Sequence, residues 1–338
     1  MEYELPILPA SVIGSYPRPK WLREMIKAYK RKQISEEDLK EAYDDAVVTV
    51  VADQERAGID IPSDGEQRRD EMVEFFAERI GGFKFYDHVR VWGNAYYKKP
   101  AVVGMLEYKG PMIVDEYKFL RTVSNRKVVK MTITGPYTIA EWSFNEYYSS
   151  KEELTFELAK IIGKELRALQ DSGNVFVQID EPALPTHENE IHWAVQAINK
   201  SIEGLRMKIG LHVCYGEYKR LIPYFDELMV SQFALEFANR NFKELDILNK
   251  IHSSGKEIGF GVIDVHNKKI ENIEDVANAI RKAVEVMGPY HVYVNPDCGL
   301  KLQPRPIAYQ KLVVMTKATK IVRKELKIKG YERNYIKI

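Results

Sequence analysis

The sequence predicts an α/β fold, a single (β/α)₈ barrel (TIM barrel) spanning residues 1–338, with a β-hairpin excursion at 81–117 after the second βα unit. Three observations carry that prediction. Short β-branched runs alternate with longer helical patterns almost from end to end, there are eight such runs, and polar and ionisable residues gather where the runs end. Strand–helix alternation argues for a parallel sheet, and eight units argue for closure; an open doubly wound sheet is the rival architecture.

In chain order the predicted strands are Ser11–Gly14, Ile59–Ser63, Val128–Thr132, Val175–Ile179, Lys208–Val213, Leu228–Leu235, Glu257–Ile263 and His291–Val294. Most are followed by an amphipathic stretch. Over Lys151–Gln170, Leu154, Leu158, Ile161, Ile162, Leu166 and Leu169 form one apolar stripe. Over Ile273–Met287, Val276, Ala277, Ile280, Ala283, Val284 and Met287 do the same. Between Gly81 and Tyr117 the periodicity breaks, and Tyr, Val and Lys interleave with Gly and Pro, as a hairpin insertion would. Repeats, low-complexity tracts and Gly/Ser linkers are lacking, which favours one domain with an excursion.

Composition bounds the function. Hydrophobic residues make up 45% and charged residues 29%, enough apolar material for a large core in a soluble globular protein. Lys+Arg 50 against Asp+Glu 49 leaves a net charge of +1, which argues against a nucleic-acid partner. The interspersed Lys and Glu read mostly as solvated helix faces. No apolar run is long enough to span a bilayer and the N-terminus lacks a signal-peptide layout, so the expected location is cytoplasmic, without a membrane partner. In that compartment Cys214 and Cys298 are expected to be metal ligands or plain core residues rather than a disulfide.

In such a barrel the chemistry belongs at the C-terminal ends of the strands. His212, Cys214, Glu236 and Cys298 form the sharpest constellation there. Residues i and i+2 of a strand face the same way, so His212 and Cys214 can address one atom; Glu236 follows the next strand and Cys298 the last. Imidazole, carboxylate and two thiolates suit one Zn²⁺. The plain alternative is two small buried hydrophobes beside a hydrogen-bonded core histidine. The placement of both cysteines at strand ends, with a carboxylate between, favours the metal. Three negative ligands make a poor generator of hydroxide and a better holder of a substrate thiol, which points to alkyl transfer onto sulfur.

At these residues the sequence resembles the catalytic C-terminal half of cobalamin-independent methionine synthase. The likeness runs in order through Ile13-Gly-Ser-Tyr-Pro-Arg-Pro19, Asp64-Gly-Glu-Gln-Arg-Arg69, Met72-Val-Glu-Phe-Phe76, Thr134-Gly-Pro136, Trp142-Ser143 and Gln178-Ile-Asp-Glu-Pro-Ala-Leu184. It continues through His212-Val-Cys214, Glu236, Gly261-Val-Ile-Asp-Val-His266 and Val294-Asn-Pro-Asp-Cys-Gly-Leu300. The resemblance implies a zinc-dependent methyltransferase that makes methionine from homocysteine, with His212, Cys214, Glu236 and Cys298 on the metal. It implies that Ile13, Gly14 and Ser15 meet the homocysteine carboxylate and that Glu66 and Asp180 take its ammonium group. His266 is implied as the acid/base group near the donor and Trp142 as a flat face against the donor's ring system.

Each role has a plainer counterpart. Gly14-Ser15 can be an ordinary turn, Asp180 an N-cap, Trp142 a core aromatic and His266 a loop histidine. The long enzymes have two barrels, whereas this chain has the catalytic one, resembling the short archaeal-type core enzymes. The methyl donor therefore stays open between methylcobalamin, a corrinoid protein and a methylated folate or pterin. The rival functions are another zinc thiol alkyltransferase, acting on coenzyme M or on a sulfonium or epoxide substrate, and a non-catalytic carrier of zinc or homocysteine. Paired carboxylates at Glu66 and Asp180 speak against a sulfonate thiol, and His266 against a carrier. A porphyrinogen decarboxylase, related in fold, has no need of Cys214 and Cys298.

Overall fold

The computed structural model describes residues 3–92, 95–328 and 335–338. It is an α/β structure built on parallel strands, and its internal contacts divide it into two compact units.

The first unit comprises residues 1–68, 116–131 and 232–338. Strand Glu257–Ile263 runs parallel between Gln232–Leu235 and Val292–Pro296. Beyond Val292–Pro296 the ladder continues through single parallel bridges, Ala10 to Val294 and Ser11 to Ile61, and then through the amide of Lys130 to the carbonyl of Pro62. The strands predicted at Ser11–Gly14 and Ile59–Ser63 thus shrink to bridges. The reason is local: the Gly14 carbonyl is taken by Ser63 Oγ and the Ser63 amide by Gln54 Oε1, each at 3.0 Å, so side chains use groups a ladder would need. The strand predicted from Leu228 begins at Gln232, because the amides of Leu228 and Met229 are taken by Tyr224 O and Asn199 Oδ1.

Helices flank these strands. Glu36–Ala57 starts at a capping box, Ser35 with Asp38, and stops at Gly58 with φ 94°, a left-handed turn that glycine adopts freely. Ile273–Met287, capped by Asn272, has the bounds its periodicity predicts. Arg305–Ile328 follows the last parallel strand. A short antiparallel pair joins Glu4–Pro6 to Tyr335–Lys337.

The second unit comprises residues 69–115 and 132–231. Strands Phe176–Asp180 and Lys208–Val213 pair in parallel, and Gly135, following strand Met131–Thr134, donates to the Asp180 carbonyl at 2.9 Å. Helices Lys151–Asp171 and Ile191–Ile202 pack on one another. Strands Ile80–Trp92 and Ala95–Tyr108 pair antiparallel, with irregular register along their length. Glu165, fully buried in the Lys151–Asp171 helix, fastens the end of that pair by accepting from Tyr108 Oη and the amides of Met112 and Ile113, each at 2.8 Å. Among the described residues no helix is long and apolar enough to cross a membrane.

Candidate metal centre and active site

In the second unit the parallel register sets Asp180 directly beside His212, and partners in a parallel ladder share a face. Both side chains are buried, and Asp180 accepts from Gln178 Nε2 at 2.7 Å. Asp180 ends its strand and caps no helix; the next helical turn begins at Glu188. Cys214, also buried, follows the end of strand Lys208–Val213. The chain then turns sharply, with Tyr215 at φ 59° and Gly216 packed so closely that a Cβ there would lie 2.1 Å from Pro185 Cγ.

Glu181 is fully buried and gathers the first turn of helix Pro136–Glu141. Its carboxylate accepts from the amides of Tyr137 (2.9 Å) and Thr138 (2.7 Å) and from Thr138 Oγ1 (2.6 Å). Burial pushes this carboxyl up to about 7 although those donors pull it down. Gly135 makes room: a Cβ there would sit 2.1 Å from Glu181 Oε1. Trp142 closes the same short helix at its C-terminal end, its amide bonded to Thr138 O, and is half-buried.

In the first unit Ile13 and Gly14 are buried and Ser15 is partly open. Glu66 stands at φ 54° after Gly65 at φ 66°, two consecutive left-handed residues, with its amide on Asp64 Oδ1 at 2.9 Å. Left-handed backbone at a glutamate is uncommon, and it turns Glu66 out of the strand direction immediately after residue 64. Gln67, fully buried, stitches the two loops by donating from Nε2 to Tyr16 O (3.0 Å) and Gly65 O (2.9 Å). Tyr16 adds its own amide to Gly65 O. From the other side Leu300 N donates to Ser15 O, and a Cβ on Gly299 would meet Ser15 Oγ at 2.0 Å. Ser15 and Glu66 therefore sit on one stitched pair of loops, with the Cys298-Gly299 turn against Ser15.

Glu236 follows strand Gln232–Leu235 and is fully buried. Its carboxylate accepts from Asn239 Nδ2 at 3.1 Å and faces His266 Nε2 at 3.8 Å. That carboxylate, with Asp264 and Cys298 adding to it, holds the His266 imidazole above its ordinary value against the opposing effect of burial. Asp297, buried one residue before Cys298, accepts from the amides of Phe237 (2.9 Å), Ala238 (3.0 Å) and Asn239 (2.7 Å) and so holds the turn that follows Glu236. Burial pushes Asp297 up to about 7. A Cβ on Gly261 would come within 2.4 Å of its Oδ1.

One ligand atom each from His212, Cys214 and Cys298 lies within 4.8 Å of the others. A tetrahedral zinc with Zn–S of about 2.3 Å needs its sulfurs about 3.8 Å apart, so an imidazole and two thiols at this spacing fit the ion with little movement. Glu236 stands outside that cluster of three and engages Asn239 and His266.

Sequence reasoning assigned no part to Gln67, Glu181 or Asp297, although all three lie within the stretches that carry the family likeness. The signal available was their position beside predicted site residues, together with the glycines at 135 and 261 that leave room for two of them.

Buried carboxylates, a histidine and two thiols at the ends of parallel strands suit chemistry at sulfur, and comparison with known proteins gives the class, a methyltransferase. Residues 8–321 match the family described as "Cobalamin-independent synthase, Catalytic domain". The chain belongs to the cobalamin-independent methionine synthase family. It is 58% identical over 334 residues to the methionine synthase of Sulfurisphaera tokodaii, covering 99% of this chain and 98% of that one. To the methionine synthase of Pyrococcus abyssi it is 56% identical over 327 residues, 97% and 96% of the two chains. Among solved structures, the B12-independent methionine synthase of Shewanella sp. W3-18-1 superimposes with a TM-score of 0.86 at 29% identity, over 95% of this chain and 99% of that one. A methyltransferase from Methanosarcina mazei shares the fold, with a TM-score of 0.65 at 12% identity, over 94% and 95%.

Proposed function

We propose that this methyltransferase transfers a methyl group to the thiol of L-homocysteine at a single Zn²⁺ site, and that it does so as one cytoplasmic (β/α)₈ barrel domain. The clustering of His212, Cys214 and Cys298 carries the reading. These three residues would hold the ion, with Glu236 as the fourth donor. When bound, zinc supplies the positive charge that keeps a thiol, ordinarily of pKa about 8.5, deprotonated near neutral pH.

The chain's own residues do the rest. Backbone amides at Ile13–Ser15 and the Ser15 hydroxyl receive the substrate carboxylate, while Glu66 and Asp180 take its ammonium group. Two carboxylates for one ammonium speak against a sulfonate thiol lacking that group. With a methylated folate or pterin as donor, His266, held toward Glu236, passes a proton to the donor nitrogen as its bond to the methyl breaks; Trp142 offers a face to the donor. The donor is methylcobalamin, a corrinoid protein or a methylated folate or pterin. The Shewanella relative was captured with selenomethionine, the selenium analogue of the product proposed here.

Eight parallel segments support the barrel: those at 10–11, 61, 131–134, 176–180, 208–213, 232–235, 257–263 and 292–296. The antiparallel pair at 80–92 and 95–108 supports a hairpin excursion at 81–117 after the second βα unit.

The test is methionine formation from homocysteine by zinc-replete protein, with methylcobalamin and methyltetrahydrofolate supplied in separate reactions. Turnover with one of them identifies the donor class, and chelation should abolish it until zinc is restored. A Cys298→Ser protein that kept both stoichiometric zinc and full turnover would falsify the metal assignment.

A further inference from the structure

Lys311 sits on helix Arg305–Ile328 and is fully buried. An ammonium group inside a protein is costly unless its donors are used, and a helix packing on a strand would be served by Leu or Met. Here all three donors are used, and on one loop. Nζ donates to Asp264 O (2.9 Å), Lys269 O (2.6 Å) and Glu271 Oε1 (2.7 Å).

That loop, residues 264–271, carries His266. His266, Asn267, Lys268 and Lys269 are all exposed, so packing of their side chains does little to fix the backbone. It is fixed from beneath. Besides the three bonds from Lys311, Gln303 Nε2 donates to Val265 O (2.6 Å) and Asn267 O (3.1 Å), the two residues flanking His266. Asp264 closes the loop twice: its amide donates to Glu271 Oε1 (3.1 Å), and its Oδ1 accepts the His266 amide (2.8 Å). The ammonium and its Glu271 counterion thus hold both ends of the segment that sets the imidazole 3.8 Å from Glu236.

We propose that Lys311, assisted by Gln303, is a positioning residue for His266: the loop is wrapped around a buried cation so that an exposed imidazole keeps a fixed place. The inference rests on the reading of His266 as the proton donor. Its failure can be told apart from the failure of that reading, because position and turnover are measured separately.

The experiment compares Lys311→Met/Glu271→Gln, which removes the buried charge pair together, with Gln303→Leu and His266→Gln in the full-length zinc-loaded protein. Three quantities are read: the ¹H–¹³C resonance of the His266 ring, bound zinc, and kcat and KM for homocysteine with whichever donor supports turnover. The expected result is a displaced, sharpened His266 resonance in the double variant, with zinc and KM within about twofold of the parent and kcat lower by about tenfold to a hundredfold. Gln303→Leu should give a smaller change of the same kind, and it serves alone if the double variant does not fold. An unmoved resonance with unchanged kcat, whatever the loss of thermal stability, overturns the proposal. A displaced resonance while His266→Gln itself turns over normally upholds the positioning and refutes the proton-donor role.

Discussion

Each unit ends a parallel strand with a buried carboxylate that collects backbone amides from the loop after another strand, yet the two carboxylates hold different things. Glu181, in the second unit, takes two amides and a hydroxyl from the first turn of a helix. Asp297, in the first, takes three successive amides at the start of a one-turn 3₁₀ helix, Ala238–Arg240, that follows Glu236. A helix start leaves its first amides without intrahelical partners, and Glu181 supplies the cap that Gly135, lacking a side chain, cannot provide. The segment after Glu236 is a single 3₁₀ turn, Ala238–Arg240, shorter than the six-residue helix that Glu181 holds. Glu181 anchors a helix start and chiefly adds stability; Asp297 anchors the amides that directly follow Glu236 and so also sets the position of a site residue.

Asp297→Asn and Glu181→Gln each turn an acceptor oxygen into an amide facing N–H donors. Asp297→Asn is expected to lower turnover about a hundredfold, through misplacement of Glu236. Glu181→Gln should cost about 1–3 kcal/mol of unfolding free energy, with a fall in turnover of less than about tenfold. Steady-state rates and urea melts on the same preparations decide the matter, and equal kinetic damage from the two would dissolve the distinction.

A smaller effect is expected at the stitch between the Ser15 and Glu66 loops. Gln67→Met keeps the volume and loses two hydrogen bonds, about 1–2 kcal/mol, so KM for homocysteine should rise about five- to thirtyfold while zinc content holds. An unchanged KM would show that the two loops are held by their backbone bonds alone.

The smallest effect sharpens the contrast between buried and surface carboxylates. Partly exposed Glu55 has some burial raising its pKa, yet bonds from Ser124 Oγ, Asn125 Nδ2 and the Asn125 amide bring it below the ordinary 4.5. Glu181 and Asp297, each also with three hydrogen bonds, go the other way because they are fully buried. The Glu55 contribution is therefore complete above pH 4.5 and lost as pH falls through its lowered native value. Glu55→Gln should cost less than about 1 kcal/mol at neutral pH, with the gap to the parent closing under acid in pH-dependent melts.

Much of this was legible before the structure. Periodicity located helix 273–287 to the residue and strands 208–213 and 257–263 at their observed bounds, because each buries a regular face. It misplaced strands where polar side chains intercept the ladder, as Ser63 does at Gly14 and Asn199 at Met229. His212 and Cys214 were readable from their i, i+2 spacing, and Cys298 from its place after the last strand. Lys311 was not: a lysine in an amphipathic helix reads as solvated, and here the charge is buried. Glu181 and Asp297 were hidden for a related reason, since backbone amides, their partners, leave no mark in a sequence.

The stitched loops bearing Ser15 and Glu66 have one more consequence. Apart from the Arg18 guanidinium on Gln67 O, the bonds named between them join neutral groups: Gln67 to two carbonyls, Tyr16 N to Gly65 O and Ser63 Oγ to Gly14 O. Mobile ions screen charge pairs strongly and buried neutral bonds hardly at all. The shape of the amino-acid end should therefore be indifferent to ionic strength, so that any salt dependence of homocysteine capture reports on the substrate's own charges and not on the architecture that receives them.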